Sequence, residues 1–226
     1  MTYLDLVRRL KLESGRSGDL MGTLASLNLD DQRLAAWVAD QWSVIERDAK
    51  RDWSWQRRSG GPFTLTAGKP DYLPADFLLT DFRAWWPEGR IYRPYVLVGG
   101  VPSYLTWMPL DLFKQEYQDR TQQPGVPQVW TQTVDGQLLL GPTPDQAYGL
   151  KADWKGAITR LADDADEVPL DDDLALVVVW AALKQVAAFD AAPEVLSRAE
   201  FNLNTVMVQL LEKHTEPLQL SSVGFA

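Results

Sequence analysis

Apolar residues recur at helical spacing toward both ends of the chain and at strand spacing between them. Tyr3, Leu6, Val7 and Leu10 share one face of a helix over residues 3–11, with Arg8, Arg9 and Lys11 opposite or flanking. After the connection ESGRSGDLMGT, a second stripe runs through Leu34, Val38, Trp42 and Ile45. Asp30 or Asp31 would cap that helix and it would end near Asp52. Trp37 and Trp53 lie close to the same face. The segment 173–189 is apolar on nearly every side, which predicts a central helix surrounded by others. Beyond Pro193, the residues Leu196, Ala199, Leu203, Val206 and Leu210 alternate spacings of three and four. That is a narrow seam for packing on another helix, in this chain or a neighbour's.

From residue 57 to 165 the period shortens. FTLTAGKPDYLP alternates around an Ala-Gly-Lys turn and predicts a hairpin. PADFLLTDFRAWW begins with a capped turn and continues as a strand. RIYRPYVLVGGVPSYLTW is two β-rich runs joined at Gly99-Gly100. PLDLFKQEYQD is a short helix with Pro109 at its start. PQVWTQTVDGQLLLGPTP turns at Asp135-Gly136, and YGLKADWKGAITRL adds at least one more strand. The expected class is α+β: an antiparallel helical bundle, two helices from each end of the chain, with an inserted small antiparallel sheet or sandwich. The expected parts are 1–56 and 166–213 for the helices, 57–165 for the β-rich insertion, and 214–226 for an extended C-terminal tail.

Composition then removes chemistry. The chain has 226 residues, a net charge of −9, no cysteine and one histidine, His214. Thiol nucleophiles, thiolate zinc sites, a His-based triad and a two-His metal site cannot be assembled within one chain. The Gly-rich phosphate and dinucleotide motifs and the GxSxG elbow are missing as well. Neither a catalytic residue nor a metal or cofactor is expected. An acid excess disfavours wrapping nucleic acid, which needs basic residues to displace counterions. The longest apolar run, LALVVVWAAL at 174–183, is too short for a membrane span, and the first residues lack a signal peptide's apolar core. A cytosol-like site of synthesis is expected.

The 10 tryptophans raise the question of a ligand platform. Trp37 and Trp42 fall in or beside an apolar helix stripe and Trp180 lies inside an all-apolar run, so core packing is expected for them. Trp53, with Trp55, is expected to pack where bundle and insertion meet. Trp85, Trp86, Tyr92, Tyr95, Tyr104 and Trp107 gather in the strand region, and aromatics of this kind are enriched at the buried centres of protein contacts. A carbohydrate-binding or tail-associated receptor module using Trp85, Trp86 and Trp107 is the alternative. A glycoside hydrolase on Asp71, Asp76 and Glu88 would need two carboxyls at a set separation. The acidic run DDADEVPLDDD at 163–173 lacks EF-hand spacing and is expected to cap the following helix, with the rest a solvated loop.

Three stretches carry a resemblance to a known family. MTYLDLVRRLKLESG with LAAWVADQWSVIERDAKRDWSWQRR resembles the N-terminal helices of tailed-bacteriophage head-to-tail adaptor (connector, head-completion) proteins. FTLTAGKPDYLPADFLLTD resembles their strand–turn–strand, and GVPQVWTQTVDGQLLLGPTPDQAYGLKADWKGAITRLADDADEVPL follows the family's order of strand, hairpin, Pro-x-Pro turn and acidic proline loop. Trp130 and Trp154 stand where the family more often has tyrosine. The resemblance implies a structural virion protein of the neck, made in the host cytoplasm. It further implies a homo-oligomeric ring, usually of about twelve copies, beneath the portal protein. Such a ring extends the DNA channel, lets DNA pass without specific binding, and offers tail or tail-fitting (nozzle, stopper) proteins a surface. In the tail, Leu218, Leu220, Val223 and Phe225 are expected to dock in extended form on the portal.

Overall fold

The computed structural model describes residues 1–48, 51–86, 93–120 and 122–215. The fold is α+β, with five helices and three small sheets among the described residues. Two compact units form: Met1–Trp55 with the chain from Ile158 onward, and Gln56–Ala157.

In the helical unit, α1 (Tyr3–Glu13) starts at a capping box. The Thr2 hydroxyl accepts from the Asp5 amide at 3.2 Å while the Asp5 carboxylate accepts from the Thr2 amide. Helix α2 (Leu29–Glu46) is capped by Asn28, whose side chain accepts from the Asp31 amide at 2.9 Å, so the cap lies ahead of both expected residues, Asp30 and Asp31. Asp31 is thereby free to turn inward, where it meets Lys11 at 3.1 Å in a nearly dry ion pair. The helix stops at Glu46, short of the expected Asp52. The Ile45 carbonyl, which also accepts from the Asp48 amide at 3.4 Å, takes the Trp53 indole N–H at 2.8 Å where the chain folds back. Helix α4 (Asp172–Phe189) is buried along most of its length and packs against α1, α2 and α5 (Pro193–His214). The unit's core joins Leu6, Val7 and Leu10 to Leu34, Val38 and Trp42, and these to the inner faces of α4 and α5.

The stretch 158–165, assigned from sequence to the insertion, belongs to the helical unit. Leu161 enters its core, and the Thr159 carbonyl accepts from the Trp42 indole at 3.0 Å. Its carboxylates are structural as well as solvated. Asp164 accepts from the Thr23 hydroxyl at 2.5 Å and the Leu24 amide at 2.7 Å, and Asp166 from the amides of Ala162 and Asp163.

The β unit contains β1 (Arg57–Ser59), β2 (Phe63–Leu65), β3 (Asp71–Tyr72), β4 (Phe82–Trp85), β5 (Tyr95–Val98) and β6 (Val101–Tyr104). After β7 (Thr106–Trp107) comes α3 (Leu110–Phe113), running into a π-helical turn over Lys114–Gln118. Strands β8 (Val129–Gln132), β9 (Leu138–Gly141), β10 (Tyr148–Lys151) and β11 (Asp153–Gly156) complete it. The sheet orders are β1-β11-β4, β2-β10-β5-β6 and β3-β9-β8-β7. Gly99 and Gly100 both take left-handed backbone, as a two-residue hairpin between β5 and β6 requires.

Two expectations are corrected. Strands β2 and β3 are not a hairpin, because they pair with β10 and β9 in different sheets. Between them the Tyr72 phenol satisfies both the amide and the carbonyl of Thr66, which removes the need for a ladder. Nor are the sheets wholly antiparallel: β7 and β8 run parallel, since α3 and its return bring the chain back in the same direction.

Candidate interaction surfaces

The six aromatics expected at an interface occupy different places. Trp85 is 2% exposed, donates its indole N–H to the Gly136 carbonyl at 2.9 Å, and lies edge-on to Phe77 and Phe82. Trp86 is 4% exposed and is flanked by the Arg57 guanidinium and the Lys155 ammonium, 5.5 and 5.7 Å from its ring. Both are therefore internal to the β unit, and neither offers a ring to a partner or a sugar. Tyr92 lies outside the described residues. Tyr95 and Tyr104 stand opposite each other on β5 and β6, with ring centroids 5.6 Å apart. Tyr95 is half-buried, while Tyr104, with Val101 and Trp107, is exposed on edge strands. Strands β6 and β7 stand at the ends of their sheets and carry exposed apolar side chains.

Of the residues expected in the core, Trp42 and Trp53 are fully buried, Trp180 is buried, and Trp37 is half-buried against the Phe189 ring at 5.7 Å. Trp53 stacks on Trp55 at 4.6 Å, and Trp55 in turn lies 6.1 Å from Trp42 and meets His214 edge-on at 5.0 Å. Both Trp53 and Trp55 pack into the helical unit's own core. The tail residues Leu218, Leu220, Val223 and Phe225 lie outside the described residues.

His214 closes that aromatic array. Its Nδ1 is 2.8 Å from the Ser54 hydroxyl, and its Nε2 is buried without a hydrogen-bond partner. Burial pushes its pKa below the ordinary 6.5, the Lys213 ammonium adds to the shift, and the Asp171 carboxylate opposes it. A base depressed in the fold is protonated first in the unfolded chain, so stability is held above about pH 6.5 and lost as pH falls below it. The carboxyls of Asp171, Asp164 and Asp166 are held below their ordinary 3.8, by Lys213, by Thr23 and by local amides respectively, and act only in more acid solution. We expect the urea midpoint to drop between about pH 7.5 and about pH 5.5, and the drop to shrink in His214→Phe, which keeps a ring but cannot titrate. Equal drops in both proteins would refute this role.

The carboxylates considered for hydrolysis are engaged locally. Asp71 accepts from the Gln137 amide at 2.6 Å beside a cavity of about 210 Å³ lined by Phe113, Tyr117 and Gln122. Asp76 is held by Lys69 and by the Leu73 amide, both at 2.8 Å, and Lys69 first and Leu73 second draw its pKa down. Glu88 lies outside the described residues. Among the described residues no group of three or more His, Asp or Glu is placed to hold a metal, and no helix is long and apolar enough to cross a membrane.

Sequence reasoning missed several exposed apolar side chains. Val134 at the tip of the β8–β9 turn is 99% exposed, and Leu78 is 87% exposed in a left-handed conformation that leucine rarely adopts. Phe201 is 72% exposed on α5. A helical wheel centred on Phe201 would have isolated it, since Val208 follows seven residues later on the same side.

The chain thus combines a helical unit with a β unit whose edge strands carry exposed aromatic residues. Residues 1–211 match the model of the SU10 adaptor protein family, and the chain belongs to that family of phage head-to-tail adaptors. The family is one of structural phage proteins and not of enzymes. No curated protein matches the chain.

Proposed function

We propose that the chain is the subunit of a ring at the head–tail junction of a tailed phage, attached to the portal protein. In this reading about twelve copies extend the DNA channel and give tail or tail-fitting proteins their attachment surface. Family membership over residues 1–211 is the observation that carries it. The four long helices act as an antiparallel bundle, and Tyr95, Tyr104 and Trp107 supply protein contacts from the β unit's edges. The tail residues Leu218, Leu220, Val223 and Phe225 dock on the portal.

Charge supports the passage of DNA without specific binding. Between Gln56 and Ala157 acidic and basic residues are equal in number, so the helical unit's residues carry the whole net charge of −9. A channel lined by carboxylates repels phosphates and leaves nothing to hold them. The test is direct imaging: the purified protein mixed with its portal, viewed in negative stain, should show an added ring coaxial with the portal. Portals that stay bare at saturating protein would overturn the assignment.

A further inference from the structure

One cavity of the β unit belongs to none of the surfaces above. It measures about 210 Å³ and lies between the edge strand β3, the start of β9 and the π-helical turn after α3. That turn, over Lys114–Gln118, carries Tyr117 and Gln118 into the wall, and π-turns recur at functional sites. Gly141 lets the Tyr117 ring come close, since a Cβ there would stand 2.7–2.8 Å from three ring atoms. Phe113 stacks on the same ring at 5.0 Å, so the aromatic wall is fixed. The polar lining holds one charge and several acceptors. Asp71 is half-buried and takes the Gln137 side-chain amide at 2.6 Å through Oδ2, and among the described residues it forms no ion pair. Gln122 donates its amide to the Glu116 carbonyl at 2.8 Å, so its side-chain oxygen, like that of Gln137, is left to accept. No described Lys or Arg lines the cavity. Lys69 lies near enough to feel the Asp71 charge, but its ammonium is bound to Asp76 at 2.8 Å. Arg120 is bound to Glu116 at 3.0 Å, and Lys114 is exposed outside the lining.

We infer that this cavity receives a guanidinium group. A carboxylate with amide oxygens beside it repels anions and offers acceptors to a flat cation whose N–H donors form charge-assisted bonds. Those acceptors come from three separate segments, at Asp71, Gln122 and Gln137. Donors spread over a plane can meet them together, and a guanidinium, more weakly hydrated than an ammonium, loses less on leaving water. Size agrees: a void of about 150 Å³ takes benzene. The space of about 210 Å³ therefore fits a guanidinium on a short alkyl stem and is too small for a nucleotide or a sugar chain. The group comes either from an arginine side chain of another protein or from a free small guanidinium compound. Nothing in this inference depends on the ring.

The side-chain amide signals of Gln122 and Gln137 in nitrogen–proton correlation spectra of the full chain report on this site. Ethylguanidinium should shift them with a Kd in the millimolar range, and ethylurea, its neutral counterpart, should not. Blocked arginine (acetyl-arginine methylamide) binding at least as tightly would identify a protein side chain as the source. Ethylguanidinium bound with blocked arginine excluded would identify a free compound, and either result supports the site. Asp71→Asn, which still accepts from Gln137, should weaken binding at least about tenfold. Asp135→Asn removes an exposed charge at the β8–β9 turn and should bind as wild type. Gln122 is exposed and outside the helices and strands, so Gln122→Ala tests the site even if Asp71→Asn fails to fold. Read at Gln137, it should weaken binding at least about threefold. No shift with ethylguanidinium, an equal shift with ethylurea, equally tight butylammonium, or wild-type binding by either site variant would overturn the inference.

Discussion

Replacing Trp53 with alanine should destabilise the helical unit by about 3–5 kcal/mol, the range for removing a large buried aromatic. The ring is fully buried, stacked on Trp55 at 4.6 Å and covered by the Arg51 guanidinium at 5.4 Å. Its N–H also satisfies the Ile45 carbonyl at the end of α2. Alanine would leave a cavity and leave the Ile45 carbonyl with only the 3.4 Å bond from the Asp48 amide, and these losses share one site and do not simply add. Trp53→Phe keeps most of the ring but not the hydrogen bond, so it should fall between wild type and alanine. Urea unfolding followed by far-ultraviolet circular dichroism measures both. A loss below about 1 kcal/mol for the alanine variant would place Trp53 outside the group of residues that hold this unit together.

That expectation shows where sequence and structure meet. The faces of the helices were legible because burial itself imposes the period: Leu34, Val38, Trp42 and Ile45 all turn inward, as do Ala199 and Leu210. The end of α2 was not legible. No local breaker marks it; an indole from beyond the helix does. Strand pairing was hidden for a similar reason, since β2 and β3 take partners from far downstream and Tyr72 replaces the ladder between them.

Trp85 and Trp86 fail a simpler rule. Aromatics are enriched at the buried centres of protein contacts, so both are expected at an interface. Here both rings are covered, Trp85 by Phe77 and Phe82 and Trp86 by the Arg57 guanidinium and the Lys155 ammonium. Long basic side chains lying across an indole leave no hydrophobic signature in a sequence. The family was readable from the order of elements, which survives even where individual pairings are misjudged, and the match over residues 1–211 bears that reading out.

Deleting residues 216–226 should leave a folded protein that no longer attaches to the portal. The cut falls after the last capping interaction of α5, where the Thr215 amide and hydroxyl both donate to the Leu211 carbonyl, at 3.0 and 2.5 Å. His214 and its contacts with Ser54 and Trp55 are retained, so the melting temperature should move by no more than about 2 °C. What is removed is a segment whose apolar residues Leu218, Leu220, Val223 and Phe225 are spaced roughly two apart. That spacing suits an added strand or an extended peptide in a groove, where the backbone gives affinity and alternate side chains give specificity. A second variant keeps the length and changes those four residues to serine, separating side-chain recognition from simple reach. Both proteins should remain in the supernatant when mixed with portal and sedimented, while the wild type pellets with it. If either variant pellets at wild-type occupancy, the portal contact does not depend on these side chains and must come from the helices or the β unit.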